Sequence, residues 1–195
     1  MLTEKLRKYR IILASKSLRR QQLLRETGID FEIVLKEYDE SFPEGLAGEQ
    51  IARHVAVNKS KAFSLSVRPG EIVITADTIV WCDGMVLGKP EYEADAIRML
   101  KAISGKTHQV ITGVSLLSTV KNVIFTDTTL VTFRVMSEPE IHYYVDKYAP
   151  YDKAGAYGIQ EWIGLAACSR IEGSYFNVVG LPVHKLYEEL KKMIS

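Results

Sequence analysis

Cysteine is scarce. Cys82 and Cys168 are the only two, far apart and without a CxxC pair. That pattern excludes a disulfide framework and speaks against a zinc site, so both are expected as small buried hydrophobes. Long apolar runs are also missing. No stretch approaches the ~18 residues of a membrane span. Behind Lys5, Arg7, Lys8 and Arg10 only Ile11 to Ala14 follow, too short for the apolar region of a signal peptide. A cytoplasmic location is the expectation. There is no charge excess either: 25 Lys and Arg face 24 Asp and Glu, leaving +1. Proteins that coat nucleic acid or anionic membranes carry a large basic surplus, so neither partner is expected. A small anionic ligand needs only local charge and stays open. Walker A, HExxH and GxSxG motifs are absent, as is a GxGxxG following a strand. His54, His108, His142 and His184 have no metal-ligand spacing.

What is present is an ordinary globular mix, 47% hydrophobic and 25% charged over 195 residues. A chain of this size buries roughly 70% of its unfolded surface without staples. We expect one domain spanning residues 1–195. Strands are expected at 10–14, 31–35, 71–81, 85–87, 108–118, 123–135 and 163–168. Helices are expected at 18–27 (capped by Gly28), 48–67, 91–104, 138–147 and 183–194. The class is α/β with a mixed sheet.

Function is sought where local rules are broken. In Ser15-Lys16-Ser17-Leu18-Arg19-Arg20, three cations crowd a helix N-terminus that favours acids. Hydroxyls, backbone N–H groups and arginines together describe a phosphate site. A plain serine cap followed by solvated arginines is the simpler reading. In Gly88-Lys89-Pro90, proline suits the first helical position and puts Lys89 near a cap. At 100° per residue from Ile51, Lys59 falls at about 80°, inside the apolar stripe, and Lys61 at about 280°, opposite it. Lys59 therefore either snorkels to solvent or meets an anion. Asp77-Thr78 interrupts a strand that is apolar on both faces, so Asp77 needs a metal, a cation, a cleft or backbone amides. The small residues of Lys153-Ala154-Gly155-Ala156-Tyr157-Gly158-Ile159-Gln160 predict close backbone approach to something. Glu40 is one acid among Glu37, Asp39 and Glu40.

Together these pieces describe a site for a polyphosphate and a divalent metal. The segment 15–20 then resembles the N-terminal signature of the Maf family of nucleoside triphosphate pyrophosphatases. The resemblance continues in order through Ala76-Asp77-Thr78-Ile79-Val80, Gly88-Lys89-Pro90, residues 153–160, Gly173-Ser174-Tyr175 and Val179-Gly180-Leu181-Pro182. Relatives often carry Gly-Ser-Pro where this chain has Lys16-Ser17-Leu18.

The resemblance implies an elongated mixed sheet flanked by helices, with a central cleft, similar to inosine triphosphatases. It implies hydrolysis of dTTP and UTP to the monophosphate and pyrophosphate. Asp77 would be the general base, and Arg19, Lys59 and Lys89 would hold phosphates, joined by Ser15 and Arg20 of the helix-start motif. Glu40 and Asp77 would bind Mg²⁺ or Mn²⁺. Arg19, Thr78 and Gln160 match the branch preferring dTTP and UTP over the one preferring 7-methyl-GTP. A homodimer is also implied. The family name carries a link to cell-division arrest, so a nucleotide-binding regulator without turnover is the alternative reading.

Overall fold

The computed structural model describes residues 1–195. Alternation of strand-forming and helix-forming runs gives α1 (Leu2–Leu6), β1 (Arg10–Leu13), α2 (Leu18–Glu26), β2 (Glu32–Ile33), α3 (Glu49–Lys61), β3 (Glu71–Cys82), β4 (Met85–Leu87) and α4 (Glu93–Ile103). There follow β5 (Thr107–Leu117), β6 (Asn122–Phe133), α5 (Glu138–Tyr148), α6 (Trp162–Ala166), β7 (Cys168–Glu172), α7 (Tyr175–Val179) and α8 (Val183–Met193). Seven strands form one sheet in the order β2-β1-β3-β5-β6-β7, with β4 paired to β3. β1 runs parallel to β2 and β3, whereas β3–β4 and β6–β7 are antiparallel. The sheet is therefore mixed and flanked by helices, as the α/β class requires.

The chain forms two compact units. One comprises Met1–Asp77, Thr112–Asp127 and Gly180–Ser195; the other comprises Thr78–Ile111 and Thr128–Val179. In the first, Ile12, Ala14, Phe63, Val73 and Leu117 form a buried cluster. Helix α3 lies against β5 there with no slack, since a Cβ on Gly113 would sit 2.2 Å from Ala52 O. In the second, His108, Phe133 and Tyr157 meet edge to face with ring centroids 5.0–5.4 Å apart. Each buried aromatic or aliphatic side chain contributes about 1.5–3 kcal/mol through burial.

Turn chemistry behaves as its residues dictate. Gly28 takes φ +73 just past α2, and Asp83 (φ 51) with Gly84 (φ 78) turns β3 into β4. Several expectations fail for physical reasons. Residues 163–168 are mostly helix α6, not a strand. Ile163 and Ala167, one turn apart, are buried while Leu165 is 85% exposed, and a short apolar run does not disclose its period. Pro90 does not open a helix: the N-cap of α4 is Tyr92, so Lys89 lies before the cap. The second strand shrinks to Glu32–Ile33, and α3 stops at Lys61, after which tight turns carry the chain to Val67. The short helices α1 and α7 have no counterpart in the sequence reading. Cys82 is buried and Cys168 half-buried; neither forms a disulfide. No helix is long and apolar enough to cross a membrane.

Candidate active site

The end of β1 leads directly into the start of α2. Ser15 is buried; its hydroxyl accepts from Ser17 N at 3.2 Å and its carbonyl from Gln21 Nε2 at 3.1 Å. Ser17 is the N-cap and accepts from Arg20 N at 3.4 Å, and the first turn of α2 holds no acid. The serine-cap reading is thus correct, but it leaves the cations unexplained. Arg20 is not a loosely solvated arginine. Its Nε donates to Gly180 O at 2.7 Å, and burial lowers its pKa against the opposing pull of Asp77. Arg19 beside it is half-buried.

Helix periodicity turns Lys59 inward, where it is 7% exposed. It does not snorkel. Its Nζ donates to Asp77 Oδ1 and to Ala76 O, both at 3.2 Å, and lies 4.4 Å from the centre of the Tyr38 ring. Burial lowers the Lys59 pKa, and the Asp77 carboxylate only partly restores it. Lys61, on the opposite face, is exposed and reaches only Asn58 Oδ1 at 3.4 Å. Asp77 therefore meets a cation, one of the partners its strand position demanded.

The loop after β2 separates its acids. Asp39 is spent on a local turn, accepting from Ser41 N at 2.8 Å and Ser41 Oγ at 2.7 Å. Glu40 accepts from the Tyr38 hydroxyl at 2.5 Å, and its charge is felt at both Arg20 and Lys59. Arg20, Glu40, Lys59 and Asp77 thus share one electrostatic cluster, with Tyr38 among them. The Tyr38 hydroxyl is pushed well above its ordinary pKa by burial and by hydrogen bonding to Glu40. The sequence carried no signal for Tyr38, because a loop tyrosine has no periodicity to betray it. No group of three or more His, Cys, Asp or Glu side chains is arranged to hold a metal. Asp77 and Glu40 are the carboxylates of the cluster, and Mg²⁺ commonly takes one or two carboxylates together with substrate phosphates.

Thr78, Lys89 and Gln160 belong to the second unit. Thr78 is half-buried; Lys89 and Gln160 are exposed. Gly155 N donates to Gly88 O at 2.9 Å, linking the segment of Lys89 to the segment of Gln160. The small residues there admit protein, not ligand: a Cβ on Gly155 would lie 2.8 Å from Val80 Cγ2. A brace that the sequence did not reveal holds the same segment. Lys153 is buried and pairs with Asp152 at 2.8 Å and Glu161 at 3.1 Å. Glu161 also accepts from the Tyr144 hydroxyl, which accepts from Gly158 N at 2.9 Å.

Residues 10–193 match the family model described as Maf-like protein. The chain belongs to that family. The Maf-like chain is 53% identical over 187 residues to the dTTP/UTP pyrophosphatase of Bacteroides thetaiotaomicron, covering 95% of this chain and 97% of that one. It is 52% identical over 193 residues to the dTTP/UTP pyrophosphatase of Phocaeicola vulgatus, covering 98% and 100%. Among solved structures, the Ham1 protein of Staphylococcus aureus aligns over 64% of this chain and 71% of its own at 14% identity and a TM-score of 0.47. The α/β assignment of this Maf-like chain rests on its own strand order, not on that alignment.

Proposed function

We propose that the chain hydrolyses dTTP and UTP to the nucleoside monophosphate and pyrophosphate. The observation that carries the reading is the pairing of buried Lys59 with half-buried Asp77, set in a cluster with Arg20 and Glu40. Near full-length relatives named dTTP/UTP pyrophosphatase support the substrate class. Residues 1–195 act as one catalytic domain, in keeping with a family match over 10–193. The working form is a cytoplasmic homodimer.

In this reading Ser15, Arg19, Arg20, Lys59 and Lys89 bind the triphosphate. Arg19, Thr78 and Gln160 select the pyrimidine base. In the resting chain Lys59 occupies Asp77. When a phosphate takes over the hydrogen bond that Lys59 gives Asp77, the carboxylate becomes available to take the proton of the attacking water. Neutralisation of the phosphates by fixed cations supplies most of the remaining rate. Asp77 and Glu40 would hold Mg²⁺ or Mn²⁺, which lowers the pKa of a bound water and stabilises developing phosphate charge.

The test incubates the chain with dTTP, UTP and 7-methyl-GTP in turn, with Mg²⁺ or Mn²⁺, and scores the phosphorus products. Pyrophosphate from dTTP and UTP is the expected result. Orthophosphate would mark a phosphatase. Binding without any product would favour the regulator of cell division over an enzyme.

A further inference from the structure

Tyr38 touches both the buried cation and the second carboxylate of the cluster. Its ring lies 4.4 Å from Lys59 Nζ, and its hydroxyl donates to Glu40 Oε1 at 2.5 Å. Neither contact is a by-product of regular structure, because residues 34–43 form no helix or strand. No backbone ladder therefore fixes the direction of Glu40. Neighbouring Asp39 is bound into its turn with Ser41 and offers no support. Lys59 touches Asp77, Ala76 O and the Tyr38 ring, and it also feels the charge of Glu40. If a phosphate takes over from Asp77, the carbonyl and the ring still hold the ammonium in place. A ring face attracts a cation most strongly where water is excluded.

We propose that Tyr38 is a positioning residue with two separable functions. Its ring holds Lys59 for the triphosphate, and its hydroxyl holds Glu40 for the divalent cation. The inference rests on the proposed function, from which it takes the roles of Lys59 and Glu40. It concerns how those groups are aimed, not whether water attacks.

Two variants of the full chain separate the functions. Tyr38→Phe keeps the ring and removes the hydroxyl; Tyr38→Leu removes both. The probes are Mn²⁺, followed by electron paramagnetic resonance, and α,β-methylene-UTP, which resists cleavage and is followed by calorimetry. KM and kcat for UTP are measured beside them. For Tyr38→Phe the Mn²⁺ Kd measured with the analogue present should rise about three- to tenfold, the scale of one side chain losing its order. Its analogue Kd at saturating Mn²⁺ should stay within about twofold of wild type. Tyr38→Leu should show the same Mn²⁺ shift, and its analogue Kd and KM should rise about three- to tenfold as the cation–π contact is lost.

Indistinguishable Phe and Leu variants would overturn the proposal, as would a wild-type Mn²⁺ Kd in Tyr38→Phe. Weaker binding of both probes and lower kcat, all in proportion to a lowered melting temperature, would show a merely structural residue and overturn it too. If wild type binds both probes yet releases no pyrophosphate from UTP, the proposed activity fails while the binding constants still decide the role of Tyr38. Wild type that binds neither probe would sink both ideas.

Discussion

Lys59 and Lys153 are both buried and both ion-paired, but Lys59 shares its surroundings with further cations and Lys153 pairs with carboxylates. Lys59 shares its cluster with Arg20 and, next in sequence, Arg19, against Asp77 and Glu40. Three cations and two carboxylates meet there, the mixed cluster in which the proposed triphosphate site is set. Lys153 faces two carboxylates, Asp152 and Glu161, and the second also accepts from a tyrosine hydroxyl. Those contacts brace its loop. Burial of a lysine therefore does not by itself identify a site; the kind of charge gathered around it separates the two regions.

The largest effect should come from the first region. Asp77→Asn is expected to lower pyrophosphate release by about 10²- to 10⁴-fold, the usual contribution of a general base, with nucleotide binding largely kept. Wild-type-like release by this variant would remove Asp77 from the chemistry. Next, Lys59→Ala should raise KM for UTP about 10- to 100-fold, as loss of a charged hydrogen bond predicts. Lys61→Ala should leave KM unchanged. Equal effects of the two would dissolve the distinction between the helix faces.

The second region should respond in stability instead. Burial depresses the His108 pKa to about 4 from its usual 6.5. Between these values the unfolded chain takes up a proton that the folded chain refuses. Stability should therefore fall as pH drops from about 6.5 towards 4, by about 2 kcal/mol between pH 7 and 5 as an upper limit. Urea midpoints measured at both pH values check this, and His108→Gln should flatten the difference. Smallest of all, Glu161→Gln should cost about 1–2 kcal/mol of stability by weakening the Lys153 pairing and the Tyr144 hydrogen bond. Its turnover should fall far less than that of Asp77→Asn. A collapse of turnover without loss of stability would make the brace part of the chemistry.

These contrasts also show what was legible before folding. β3, the Asp83-Gly84 turn and α8 follow from periodicity and turn residues, which are local. The inward face of Lys59 followed from the same 3.6-residue arithmetic. The partner of Lys59 did not, because Asp77 lies on another element and only the packing of α3 brings them together. Among Glu37, Asp39 and Glu40 local context offered no choice, since all three share one polar loop, and Glu40 was singled out by the family resemblance. α6 was misread because Ile163 to Cys168 is too short to show its period. The brace of Lys153, Glu161 and Tyr144 joins residues whose pairing no spacing rule predicts.

The shielding of Lys59 has a further consequence in salt. At 0.1 M ionic strength an exposed charge is screened over about 10 Å, whereas a buried one is screened much less. Lys59 is 7% exposed and Lys89 lies open to solvent. Dissolved ions compete for Lys89 but barely enter the surroundings of Lys59. On the proposed function, triphosphate binding should divide into a part that fades as electrolyte is added and a part that persists, and the persistent part would be the one next to Asp77.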